Sequence, residues 1–275
     1  MNAIEIKNLS KHYKGFSLEK LNLTLPRGCI MGLVGENGAG KSTTIRLLLG
    51  MAKADSGDIT VLGGKLDTAA RQRIGVVLDE PGYPGCMTAL QIGKMLGGIY
   101  HSWEQDTFDG YLARLHIPPR KPFKDFSKGM KMKLCLAAAL SHGAELLILD
   151  EATSGLDPVV RDEILDIFND FTRDEGHSVL ISSHIVSDLE KICDYIAFLH
   201  RGRLMLCREK DELLNEYAFV QGSQEEIDRL DTIGRRDGRF GTEAIARRAE
   251  IPAGMKTSPV TIEELFVFMA KEEQR

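Results

Sequence analysis

Residues 29 to 50 read CIMGLVGENGAGKSTTIRLLLG, an apolar run that breaks into a glycine-rich turn and resumes with apolar residues at helical spacing. Few local sequences constrain a fold more. A buried strand must deliver the chain to a tight turn, and a helix must start directly after it. Gly35, Glu36, Asn37, Gly38, Ala39, Gly40, Lys41 and Ser42 fit the pattern G-x-x-x-x-G-K-[ST], with Thr43 next in line. The glycines let successive backbone N–H groups turn inward around phosphate oxygens, and the helix N-terminus adds positive potential. Lys41 then reaches the outer phosphates and Ser42 can ligate Mg²⁺. Glycines at 35, 38 and 40 do not form the G-x-G-x-x-G fingerprint of nicotinamide and flavin sites.

The flanking pattern sets the architecture. Period-2 alternation predicts strands over 3–8 and 16–25, and DITVLG and IGVVLD read as two more. From about Tyr83 to Ala144 the spacing becomes helical in MTALQIGKMLGGIY, WEQDTFDGYLARLHI and KGMKMKLCLAAALSHG. ELLILDEA and HSVLISSH are buried-strand runs separated by a helix on which Val160, Ile164, Phe168 and Phe171 share one face, with Pro158 at its start. Strands alternating with helices imply a mainly parallel sheet covered on both faces. The expected fold is therefore α/β, a P-loop NTPase with a mainly parallel core sheet, an N-terminal antiparallel β subdomain and an inserted helical subdomain. Beyond about Gly202 the chain reads as less regular, polar and glycine-dotted, with TIEELFVFMAKEE as a short amphipathic closing helix.

Charge and composition narrow the function. Among 275 residues, 35 basic and 40 acidic side chains give a formal net charge of −5, which disfavours bulk nucleic-acid binding. The start, MNAIEIKNLSKHYKG, lacks the apolar core of a secretion signal, and no run approaches the roughly 18 uncharged apolar residues of a spanning helix. A cytoplasmic protein is expected, reaching a membrane only through a partner. Cys29, Cys86, Cys135, Cys193 and Cys207 lack the paired spacing of zinc or disulfide frameworks and read as reduced, mostly packing thiols.

A phosphate cradle needs an acidic partner for its metal. In LLILDEA, Asp150 emerges at the carboxyl end of a buried strand, where ligands of open α/β sheets bind. Asp150 would hold Mg²⁺ through water, and Glu151 would orient or deprotonate the attacking water. His184, at the end of SVLISSH, is placed to donate to a γ-phosphate, whereas the six other histidines have no such setting.

Taken together, these residues resemble the ATP-binding subunit of ABC transporters, over roughly residues 3 to 210. GENGAGKST is similar to Walker A, LLILDEATSGLDP to Walker B running into the D-loop, ISSH to the H-loop, and FSKGMKMKLCLAAAL to the signature motif at the head of its helix. NLSKHYKG is similar to the segment whose aromatic residue stacks on adenine, which implies that role for Tyr13. The resemblance implies an ATPase of residues 1–210, with the helical subdomain over about 83–144 and a tail of residues 211–275. It also implies ATP and Mg²⁺ as ligands and a second nucleotide-binding subunit, in whose head-to-tail dimer Ser127 and Gly129 contact the γ-phosphate held by the other chain's Lys41. A separate transmembrane permease, of the exporter type, completes the expected assembly, with EPGYPGCMTALQIGKML facing it. The alternative is a soluble ABC-type ATPase of an assembly pathway.

Three positions depart from the family pattern. The signature reads F-S-K-G-M in place of L-S-G-G-Q, and Ala152 stands where proline commonly follows the glutamate. Asp79 ends its strand where the family commonly has glutamine; a carboxylate there keeps a metal role while adding negative charge beside the phosphates.

Overall fold

The computed structural model describes residues 1–80, 82–238 and 241–272. Pro81, within the segment expected to face a permease, lies outside the described residues. The chain opens with a hairpin of β1 (Asn2–Tyr13) and β2 (Phe16–Pro26), passes through β3 (Ile30–Val34) and α1 (Lys41–Leu48), and returns as β4 (Ser56–Val61). β4 pairs with β1, giving an antiparallel sheet in the order β2-β1-β4. After α2 (Thr68–Arg71) and β5 (Ile74–Val77), the helical lobe is built from α3 (Ala89–Gly97), α4 (Gln105–Arg114) and α5 (Lys128–Leu140). Two of the three lobe helices start at a side-chain cap. Thr88 and Gln91 form a capping box on α3, and the Ser127 hydroxyl accepts from Met130 N at 3.2 Å to cap α5.

Next come β6 (Leu146–Asp150), α6 (Pro158–Phe171), β7 (Ser178–Ser183), α7 (Val186–Ile192), β8 (Tyr195–His200) and β9 (Arg203–Glu209). The central sheet runs β5-β6-β7-β3-β8-β9, parallel except for the β8–β9 edge. Every residue of β3, β6 and β7 is buried, the terminal Asp150, Ser178, Ser182 and Ser183 included, as expected of strands covered on both faces. Alternate side chains supply two cores. Leu33, Leu146, Ile148 and Leu180 pack toward the antiparallel sheet, while Val34, Leu147, Leu149 and Ile181 pack against the helices of the opposite layer. At the sheet's other end Glu145 accepts hydrogen bonds from Arg73 and Arg27, and the Arg73 bond holds its carboxyl below the usual carboxylate range.

The segment after Gly202 corrects the reading of an irregular tail. α8 (Lys210–Glu216), β10 (Tyr217–Gly222), α9 (Gln224–Ile227), β11 (Thr232–Gly238), β12 (Gly241–Arg247), β13 (Lys256–Ser258) and α10 (Ile262–Glu272) include a four-stranded antiparallel sheet in the order β11-β12-β10-β13. α10, the expected amphipathic helix, fastens it to the rest. Phe266 meets Phe198 of β8 edge-on at 5.3 Å, Phe268 meets Phe219 of β10, and Ile262 N donates to Glu190 of α7 at 3.3 Å. Of the five thiols, Cys135 and Cys193 are buried and Cys29 and Cys207 partly so, whereas Cys86 is exposed and does not pack; burial pushes Cys135 up to about 12.

Candidate nucleotide site

The carboxyl ends of β3, β6 and β7 lie side by side, with Val34 in register with Ser183 and Asp150 with Ser182. Whatever follows these three strands must therefore converge on one edge of the sheet. After β3 comes the glycine turn. A side chain on Gly35 would begin 2.5 Å from the Leu199 carbonyl, and Gly40 holds φ +111, so the turn tolerates nothing larger at either place. Gly40 also starts α1 without any side-chain cap, which leaves the first N–H groups of that helix available to an external anion.

Lys41 is 5% exposed, and its Nζ donates to Gly35 O at 2.7 Å and lies 3.2 Å from Glu151 Oε1. Glu151 follows β6 in the left-handed backbone region at φ +53, a conformation that disfavours a residue with a side chain by roughly 1–2 kcal/mol. What holds it there is Ser182, whose carbonyl and hydroxyl both lie 3.1 Å from Glu151 N. The same hydroxyl donates to Asp150 Oδ1 at 2.6 Å, so one buried serine orients both acids. His184 completes the group, with Nδ1 2.7 Å from Glu151 Oε2.

Together these residues border a cavity of about 350 Å³ whose lining includes Lys41, Ser42, Thr43, Asp79, Glu151 and Phe16. Hydroxyl and carboxylate oxygens are hard ligands suited to Mg²⁺. Among the described residues no group of three His, Cys, Asp or Glu side chains is arranged to hold a metal alone. That donor set fits a cation that arrives with phosphates, which bring the remaining oxygens.

Of the residues expected from the sequence, the structure brings together Glu36, Asn37, Gly38, Gly40, Lys41, Ser42, Thr43, Asp79 and Glu151 on this cavity, with Asp150 and His184 behind and beside Glu151. Gly35 and Ala39 support the turn from within. Tyr13 does not line the cavity. It ends β1, 46% exposed, directly across the hairpin from Phe16, and Phe16 occupies the wall. Ser127 and Gly129 border a different cavity, with Gly155 and Asp157, so within one chain the signature residues and Lys41 stand apart. Sequence reasoning missed three neighbours: Ser182, Phe16 and His200, whose buried ring sits 4.0 Å from Glu36 behind the turn. Nothing in a run such as SVLISS distinguishes an orienting serine from a packing one; the register with Asp150 does.

The family model described as ABC transporter matches residues 18–154. The bacitracin transport ATP-binding protein BcrA of Enterococcus faecalis is 35% identical over 211 residues, spanning 74% of this chain and 68% of that protein. The chain belongs to the ABC transporter ATP-binding proteins. A second member, the uncharacterized ABC transporter ATP-binding protein YhcH of Bacillus subtilis, is 33% identical over 266 residues, 91% of this chain and 86% of its own, so the likeness extends into the tail sheet. Among solved structures, an ATP-binding subunit of an ABC transporter superposes with a TM-score of 0.70 at 29% identity, covering 77% of this chain and 91% of that one. As an ABC protein the chain binds nucleotide.

Proposed function

We propose that this chain hydrolyses ATP and thereby powers a transporter of the exporter type whose membrane-spanning part is a separate permease. The observation that carries this reading is the convergence of Lys41, Glu151 and His184 at one sheet edge, with Asp150 oriented by the same serine that fixes Glu151. Lys41 and the open N-terminus of α1 hold the β and γ phosphates. Ser42, with Asp150 and Asp79 alongside, would hold Mg²⁺, which would supply charge compensation for the phosphates. Glu151 takes a proton from the attacking water, and His184 steadies the glutamate and donates toward the γ-phosphate. Tyr13, beside Phe16, stacks on the adenine. Because Ser127 and Gly129 face another cavity, their contact with the γ-phosphate requires a second nucleotide-binding subunit set head to tail.

The kinship with a bacitracin transport protein supports the transport assignment. Among the described residues no helix is long and apolar enough to cross a membrane. In the proposed assembly the coupling passes through the permease partner at the cytoplasmic face. A groove of about 280 Å³ beside β5, lined by Leu49, Met51, Leu66, Ile74, Val76 and Tyr100 with Arg71, offers that partner an apolar foothold. Two experiments test the reading. Lys41→Ala should abolish nucleotide binding in a fluorescent-ATP titration, and unchanged affinity refutes the cradle. Capture from native membranes in mild detergent, with Glu151→Gln and ATP, should retrieve a polytopic membrane protein; recovery of soluble partners alone refutes the transporter assignment.

A further inference from the structure

Two departures from the family pattern meet in space. Asp79, just beyond β5, accepts a hydrogen bond from Lys128 Nζ at 3.0 Å, and Lys128 is the first residue of α5. Forty-nine residues apart in sequence, they tie the end of a core strand to the helical lobe. Asp79 also borders two cavities: the one that holds Lys41 and Ser42, and a neighbouring one of about 410 Å³ with Lys128 and Lys131. A lysine at the head of a helix opposes the helix dipole, and α5 has no acidic residue in its first turn to offset it. Asp79 supplies that counter-charge from outside the helix.

We propose that Asp79 is shared between two cations, Lys128 when the phosphate cavity is empty and the nucleotide's metal when it is filled, which makes Lys128 a positioning residue that sets metal affinity. This rests on the Mg²⁺–nucleotide reading of the cavity. The carboxylate turns from one cavity to the other, and the tie to α5 is released as the metal is bound. Arrival of the metal is thereby reported to the helical lobe by the loss of one ion pair. Both side chains are about half exposed, so the competition is modest: a pair of this kind weakens metal binding by about two- to five-fold.

The test uses the full chain with a non-hydrolysable ATP analogue and Mn²⁺ as probe, following free Mn²⁺ by electron paramagnetic resonance. Lys128→Gln should tighten Mn²⁺ about two- to five-fold, whereas Lys128→Arg, which keeps the pair, should match the wild type. Asp79→Asn should weaken Mn²⁺, and adding Lys128→Gln to it should change nothing further. A Lys128→Gln chain that binds Mn²⁺ as the wild type does overturns the proposal, as does an undiminished Lys128→Gln effect in the Asp79→Asn background. A wild-type chain that takes up no nucleotide at all refutes the reading of the cavity itself, a failure separable from these by the nucleotide titration alone.

Discussion

Replacing Ser182 with alanine removes a single oxygen from the middle of the site. In the native chain that oxygen is fully buried, donates to Asp150 Oδ1 at 2.6 Å, and faces Glu151 N at 3.1 Å. Glu151 N keeps the Ser182 carbonyl as acceptor, so its loss is small. Asp150 is 8% exposed, and its carboxylate loses a short, charge-assisted bond that water does not easily replace. Hydrogen bonds to charged groups contribute about 1.5–3 kcal/mol, so Ser182→Ala should destabilise the nucleotide-free protein by about 2 kcal/mol. Its neighbour is the control. The Ser183 hydroxyl accepts from Ile185 N at 2.9 Å, a neutral bond, and Ser183→Ala should cost about 0.5–1.5 kcal/mol. Urea unfolding of the three proteins at pH 7, followed by circular dichroism, measures both. Equal losses for the two variants, or a Ser182→Ala loss under about 0.5 kcal/mol, would show that Asp150 does not depend on this serine, and the argument for Ser182 as the organiser of both acids would fall.

Glu151→Gln should keep nucleotide binding, lower turnover at least about 100-fold and accumulate a dimer with ATP on size-exclusion chromatography; a monomer under saturating ATP argues against the head-to-tail arrangement. Tyr13→Ala should weaken ATP affinity by about 1–3 kcal/mol in the same titration if the ring stacks on adenine, and an effect confined to Phe16→Ala would move that role to the cavity wall. Asp55 is held down to about 2, chiefly by the Lys11 side chain and then by His12 N, which ties the far end of β1 to the start of β4. A depressed carboxyl stabilises above its unfolded value and ceases to do so as pH falls, so the unfolding-midpoint gap between wild type and Asp55→Asn should be open at pH 6 and close between about pH 4 and 2. A gap that stays constant over that range refutes the assignment.

What could be read in the sequence was what short-range pattern controls. β3, β6 and β7 are legible because strands buried on both faces carry apolar runs, IMGLV, LLIL and VLI, and the turn from Gly35 to Ser42 because its backbone dictates its residues. The tail sheet was not legible, since one of its faces is built from Ala218, Val220, Ala244 and Ala246, too small to mark strands, and its strands are short. The contribution of Phe16 depends on how the hairpin folds back over Gly40, and the Asp79–Lys128 pair on how the helical lobe seats against β5. Ser182 is hidden for a third reason: its partner lies on the adjacent strand, 32 residues away, and only the parallel register brings them level.

The ammonium group of Lys41 already has an anion beside it, the carboxylate of Glu151 at 3.2 Å. Seating a phosphate on that lysine is consequently an exchange of one anion for another, and the affinity measured is the difference between two attractions. The displaced anion is the residue hydrogen-bonded to His184. On the proposed reading, binding and arming would be one event: a γ-phosphate that claims the ammonium group would free Glu151 to turn toward the water it activates.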